Sequence, residues 1–362
     1  MTNSEIFHNE TISLGGRFQR ERASEYVQRV YTEIEESAQG LIRAAQRILP
    51  NLPQIHFDFI FNGEINAVAF RSDERYFIGC YTGILFMLDL VVGRMLSDSR
   101  IFKFVGDPKS ERSDLGPMSH YIPDAKVMHK KEAVLIPNDK IRRVYSIFLR
   151  NQAFLFFVGH ELTHIVHGHV DYLRAKRGQK VTTELGWFGE RNQEELIERQ
   201  CIEADADRRS VQSRIDSLRV AVSDSDTPIF PWHSKAPLLI FADWALSLNI
   251  LFRLFGDLRF SHTEPAQSPY PPLPLRRVFC EATALETMSK IWGPKIKTFA
   301  IRALYMARNE ADLAFATMTG EEVRHDREQF PMPKADTAQG ARLESYWNST
   351  LMALLKPYSY EL

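Results

Sequence analysis

Residues 154–158, Phe-Leu-Phe-Phe-Val, are five consecutive apolar side chains, and His160, His164, His167 and His169 follow directly behind them. Residues 140–173 keep helical spacing through both stretches, with Asn138-Asp139 as a cap and Lys176-Arg177-Gly178 beyond the end. A helix with such an apolar run has to be buried. An imidazole taken out of water needs a partner, either a hydrogen bond or a metal ion. The chain must therefore wrap other elements round this helix and bring polar groups to its histidines from elsewhere. That double demand is the strongest constraint in the sequence.

A second helix over residues 193–220 can meet it. Its acidic start and its late arginines (Arg208, Arg209, Arg214, Arg219) suit the helix dipole. Within it lies Glu203-Ala204-Asp205-Ala206-Asp207, where Glu203 and Asp207 are four apart on one face and the alanines permit close packing. Upstream, residues 18–49 read as an amphipathic helix ended by Pro50 and Pro53. Strand-like runs follow at 55–61, 65–70 and 76–81, separated by Asn62-Gly63 and Ser72-Asp73-Glu74, and they suggest a small meander before a helix from Leu85 to Met95. Residues 105–125 read as a surface loop. Helical segments are expected at 237–258, 275–292, 296–315 and 341–355, with a Pro-rich connector at 265–274. The expected fold is α+β and mainly helical, with a pair of site-bearing helices and a small N-terminal β-sheet. Its expected organisation is an N-terminal helical segment (1–50), a central domain holding the site (51–292) and a C-terminal helical extension (293–362).

Bulk properties narrow the function. The apolar fraction of 44%, the charged fraction of 25% and the 362-residue length are those of an ordinary globular chain with a sizeable core. A net charge of -1, with Lys and Arg dispersed among acids, gives no basis for binding nucleic acid. Cys80, Cys201 and Cys280 are far apart and form no CxxC pair, which favours a reducing compartment. Residues 1–17 do not read as a secretory signal. The apolar runs 76–92 and 236–255 carry Asp89 in one and Asp243, Asn249 and Arg253 in the other, so they read as core segments and not as membrane spans. A cytoplasmic protein without membrane association is expected, and its oligomeric state is not legible.

The histidines suggest chemistry. His160 and His164 are four apart, so both imidazoles can point at one ion. Zinc accepts neutral imidazole, and a catalytic site needs three protein ligands plus an open position. Glu161 lies about 100° round the helix, placed to take a proton from an attacking water without ligating the metal. His167 reaches the ion poorly from one turn further on, and His169 is expected on roughly the opposite face in a supporting role. Glu203 is the expected third ligand, and Asp207 the acceptor for the free N–H of a ligand histidine. The competing reading of this cluster is a solvated acidic face paired to Arg208 and Arg209. Asp205, Glu198 and Glu194 are poorer candidates.

The run from Gly159 to His169, His-Glu-Leu-Thr-His at its heart, with Glu203-x-x-x-Asp207 downstream, resembles the gluzincins related to the CAAX prenyl proteases and their soluble minigluzincin cousins. Val170 stands where a metzincin would have its third histidine. The resemblance implies a zincin-like helix pair, Zn2+ held by His160, His164 and Glu203, and Glu161 as base. Asn66-Ala67-Val68-Ala69-Phe70, followed by Thr82-Gly83-Ile84-Leu85, is similar to the family's strand region, which implies an edge at Asn66 and Ala67 where an extended substrate adds as a strand. Tyr270-Pro271 and Arg276 stand where the family has His-Pro-x-x-x-x-Arg. This implies that the Tyr270 hydroxyl stabilises the oxyanion, with His262 as another possible donor. The family's membrane spans have no counterpart, which argues against a prenyl-protein substrate. There is a weaker likeness to bacterial phage-exclusion peptidases. The expectation is a zinc endopeptidase acting on protein or peptide, with the loops 105–125 and 178–189 as candidate lids. The competing class is a non-catalytic zinc-containing binding or regulatory protein. Glu161 speaks against it, since a closed structural site has no use for a base.

Overall fold

The computed structural model describes residues 1–118, 134–177, 181–183, 193–223, 229–234, 236–259, 270–322 and 334–361. Along the chain run α1 (Asn3–Thr11), α2 (Glu25–Ile48), β1 (Ile55–Ile60), β2 (Ala67–Ser72), β3 (Arg75–Tyr81), α3 (Thr82–Leu96), α4 (Lys140–Val166), α5 (His169–Arg177) and β4 (Val181–Thr183). They are followed by α6 (Gln193–Ser223), α7 (Leu239–Arg259), α8 (Leu273–Trp292), α9 (Lys297–Thr319), α10 (Lys334–Tyr346) and α11 (Met352–Leu355). The protein is α+β and mainly helical, as its periodicities led one to expect.

Helix α4 occupies the centre. Asp139 caps it by accepting from the Arg142 amide at 2.9 Å, and every residue from Gln152 to Val166 is buried. Helices α2, α3, α6 and α7 and strands β2 and β3 pack round it. Residues of the N-terminal helix (Val30, Ile34, Ile42), of α4 (Phe154, Phe157) and of α9 (Ala300, Ala307, Phe315) share one core cluster. All three sequence segments thus build a common interior. Among the described residues, no helix is long and apolar enough to cross a membrane.

The sheet has the order β1-β3-β2-β4. Its strands alternate strictly: Phe57, Phe59, Ala69, Ile78 and Cys80 face the α4 core, whereas Ile60, Val68, Phe70, Phe77 and Tyr81 pack on Ile6 and Phe7 of α1. The expected meander is wrong at its first step. β1 lies parallel to β3, not antiparallel to β2. Asn62-Gly63 does not close a hairpin, because Asn62 is tied to the far end of β3: its amide donates to Thr82 Oγ1 (3.2 Å), and that hydroxyl donates to the Asn62 carbonyl (3.0 Å). The expected helix over 18–49 also begins late. Residues 16–18 instead run along β1, with the Phe18 amide donating to Phe59 O and the Phe61 amide to Gly16 O, both at 2.8 Å.

The histidine-bearing helix stops short of position 173. The His167 amide donates to Thr163 O (2.8 Å) and the Gly168 amide to Ile165 O (3.1 Å). Gly168 turns left-handed with φ +75°, and α5 sets off from His169 in a new direction.

Candidate metal centre

The site lies where α4 crosses α6. A Cβ on Gly159 would fall 2.6 Å from Ser210 Oγ, so only glycine allows this approach, and that hydroxyl donates to Phe156 O at 2.8 Å. Ala204 and Ala206 of α6 are buried as well. The two helices therefore come close enough for α6 acids to reach α4 imidazoles.

His160 Nε2 and His164 Nε2 stand 3.1 Å apart, and Glu203 Oε2 lies 3.2 Å from the first and 3.9 Å from the second. Zinc binds imidazole nitrogen and carboxylate oxygen at about 2.0–2.2 Å, which sets tetrahedral ligands roughly 3.3 Å apart. The spacing and chemistry of this donor set fit a single zinc ion. Glu161, 1% exposed, offers an oxygen within 4.8 Å of both imidazole nitrogens. Of the two carboxylates, Glu203 closes the triangle with the imidazole nitrogens at 3.2 and 3.9 Å, and Glu161 stands beside it.

A buried shell holds these groups. His160 Nδ1 donates to Asp207 Oδ1 at 2.9 Å, and Arg276 of α8 grips the same carboxylate through Nε (2.7 Å) and a terminal nitrogen (2.8 Å). Arg199 Nε lies 3.5 Å from Glu203 Oε1, one helical turn away. Burial is the largest influence on His160 and disfavours its charge. Hydrogen bonds and charge from Asp207 and Glu203 outweigh it and carry its pKa well above the ordinary value. For His164, burial and the neighbouring His160 and His169 push the pKa well down, so its ring is neutral and keeps a lone pair. Glu203 is held below the usual carboxylate range despite its burial, by His160 and Arg199. A metal ion taken up here would replace the proton of His160.

The remaining expected residues fall at varying distances. Ala67 opens β2 in register with Cys80, whose thiol is pushed well up by burial and then by the charge of Glu161. Asn66 is fully buried, and its carbonyl accepts from the Tyr81 amide at 2.9 Å. The edge of β2 just beyond them is not open: β4 pairs antiparallel with it, Val68 opposite Thr183 and Phe70 opposite Val181. Tyr270 is buried with the Arg276 guanidinium 5.6 Å above its ring, which links it to Asp207 through that arginine. His262, most of the 178–189 loop and the end of the 105–125 loop lie outside the described residues.

His169 corrects the expectation that it faces away from the ion. The turn at Gly168 brings it back, with Nδ1 3.0 Å from His164 Nδ1. Its Nε2 lies 3.3 Å from Asp205 Oδ2, the same oxygen that accepts from His167 Nδ1 at 2.6 Å. Against the opposing effect of burial, Asp205 and Glu361 raise the His167 pKa to about 9. Sequence reasoning set Asp205 aside as a ligand and did not find its place beside His167 and His169, because it carried one helix through Gly168. A glycine between two histidines at a helix end was the available signal.

No protein-family model, no curated protein and no solved structure matches this chain.

Proposed function

We propose that this chain is a zinc-dependent endopeptidase of the gluzincin type, hydrolysing peptide bonds with Glu161 as general base. The observation that carries the reading is the convergence of His160 Nε2, His164 Nε2 and Glu203 Oε2 at 3.1–3.9 Å with the Glu161 carboxylate beside them. Three protein ligands leave one position open, as catalytic sites require. Bound there, zinc would act as a Lewis acid towards the scissile carbonyl and acidify a water. Glu161 takes the proton of the attacking water and returns it to the leaving amine. Asp207, held by Arg276, fixes the His160 ring with Nε2 towards the centre. Tyr270 is assigned as the oxyanion donor from the family likeness, whereas the substrate-accepting edge that the likeness implies at Asn66 and Ala67 is covered by β4 from Val68 onwards. The substrate class is protein or peptide. The three cysteines are all unpaired and buried, in keeping with a reducing, cytoplasmic setting.

A second reading, a non-catalytic zinc-containing binding or regulatory protein, draws support from β4 on the β2 edge and from the burial of His160, Glu161, His164 and Glu203. Metal analysis of the pure protein, with digestion of a proteome by wild type and by Glu161→Gln, separates the two. The expected result is one zinc in each protein and peptides cleaved only by wild type. Zinc in both with no cleavage by either favours the second reading. Absence of zinc, with no change on Glu203→Ala, overturns both.

A further inference from the structure

We propose that Asp205 and the segment 358–361 are positioning elements for the metal centre, acting on His164 through His169 and fixing the end of the motif helix. The proposal rests on the reading of His164 as a ligand. If its Nε2 lone pair serves a metal, its Nδ1 must carry the proton, and that proton meets His169 Nδ1 at 3.0 Å. His169 Nδ1 is then the acceptor, so its own proton sits on Nε2, facing Asp205 Oδ2 at 3.3 Å. The Asp205 carboxylate also accepts from His167 Nδ1 at 2.6 Å. In this tautomer His169 Nδ1 accepts from His164, while its Nε2 proton faces the Asp205 carboxylate as a charge contact outside hydrogen-bond geometry, and that charge selects the tautomer.

The relay does not end at Asp205. His167 Nε2 lies 3.7 Å from Glu361 Oε2, and the other oxygen of Glu361 pairs with Arg209 of α6 at 2.8 Å. The last carbonyls of a helix lack partners within it. Here Val166 O accepts from the Tyr360 amide (2.8 Å) and from Ser359 Oγ (3.1 Å). The Tyr360 hydroxyl meets that of Tyr76 on β3 at 3.2 Å, and Tyr358 packs so tightly on Gly168 that a Cβ there would come within 2.5 Å of its backbone. Residues 358–361 thus seal the turn from which His169 projects. His160 is oriented by one carboxylate and one arginine, whereas His164 is oriented by an imidazole, a carboxylate and this strap.

A second metal centre at His167, His169 and Asp205 is the alternative use of these donors. Its geometry is unfavourable: 2.6 Å between Asp205 Oδ2 and His167 Nδ1 is a hydrogen bond, well inside the roughly 3.3 Å that separates tetrahedral zinc ligands, and His169 Nδ1 is already engaged with His164.

The test compares zinc affinity, by chelator competition, and the visible spectrum of the cobalt-substituted protein for wild type, Asp205→Asn, Glu361→Gln, a chain ended after Pro357, and His164→Ala. Loss of an outer partner costs about 10–100-fold in metal affinity. Asp205→Asn is expected to weaken zinc by that factor and to shift the cobalt bands, which a merely structural role would leave in place. Glu361→Gln and the shortened chain should weaken zinc in the same direction, by less. Unchanged affinity and spectrum in Asp205→Asn, with binding lost in His164→Ala, overturns the proposal. Unchanged binding in His164→Ala overturns the ligand assignment instead. Two zinc ions per wild-type chain, falling to one in Asp205→Asn, would overturn the relay in favour of a second metal centre. Should Asp205→Asn fail to fold, His169→Gln decides by the same two readouts.

Discussion

Two groups of nearly the same composition lie a few ångströms apart on the α4–α6 contact. One is His160, His164 and Glu203. The other is His167, His169 and Asp205. In the first, two imidazole nitrogens and a carboxylate oxygen converge on a common centre, 3.1–3.9 Å from one another. In the second, both short contacts join an imidazole N–H to a carboxylate oxygen, at 2.6 and 3.3 Å. The difference follows from the backbone. Histidines four apart on an unbroken helix present their rings side by side. Histidines two apart across a left-handed glycine approach the acid from different directions. Residue type therefore says less about a metal site than the direction of the lone pairs does. On the reading proposed above, one group holds an ion and the other holds the first in place.

The largest expected effect tests the first group. Glu161→Gln should lower peptide hydrolysis by roughly 10²–10⁴ with zinc content unchanged, because the residue lies beside the donor triangle and not in it. Glu203→Ala should lose zinc itself, measured by metal analysis after dialysis. The same metal content in both variants would erase the distinction between base and ligand. Next in size is Asp207→Ala. It removes the carboxylate that pairs with Arg276, which is only 2% exposed, and removing one member of a buried pair costs about 3–5 kcal/mol. Urea denaturation should find this loss to be greater than that for Asp205→Ala, since the Asp205 side chain is 12% exposed and its charged partner His167 keeps Glu361 at 3.7 Å.

The second group carries the pH dependence. Burial disfavours the charge of His167, yet Asp205 and Glu361 lift its folded pKa to about 9, above the ordinary 6.5. A raised value means that this contribution is present in full below pH 6.5 and is lost as pH rises through 9. It amounts to at most about 3 kcal/mol. Urea midpoints for wild type should fall more steeply across that window than those of His167→Gln, in which the raised pKa of His160 leaves a smaller fall. A parallel fall in both proteins would remove His167 as the cause.

Much of this arrangement was legible beforehand, for local reasons. The helices at 193–223, 239–259, 273–292 and 297–319 follow from apolar periodicity and from the prolines and glycines at their ends. His160, His164, Glu203 and Asp207 come together because spacing by four on two packed helices leaves little freedom. What escaped depends on contacts between distant residues. The parallel pairing of β1 with β3 is set by Asn62 reaching Thr82, and nothing near Asn62 announces it. The strap at 358–361 has no local signature either, since its partners are carbonyls and side chains some 150–290 positions away. The contact of Asp205 with His167 and His169 escaped through a single wrong step, the helix drawn through Gly168.

That glycine is also where the comparison can be sharpened most finely. Gly168→Ala puts a Cβ on a residue at φ +75°, which costs about 1–2 kcal/mol for an L side chain, and sets it 2.5 Å from the Tyr358 backbone. The strap, not the helix, has room to yield, because every residue of α4 from Gln152 to Val166 is buried. Thermal melts should show a loss of a few degrees, and hydrogen exchange should rise at the Tyr360 amide, which donates to Val166. Protection within residues 152–164 should stay as it was. If exchange instead rises along the motif helix while Tyr360 stays protected, the turn supports α4 directly, and the two histidine groups are one mechanical unit.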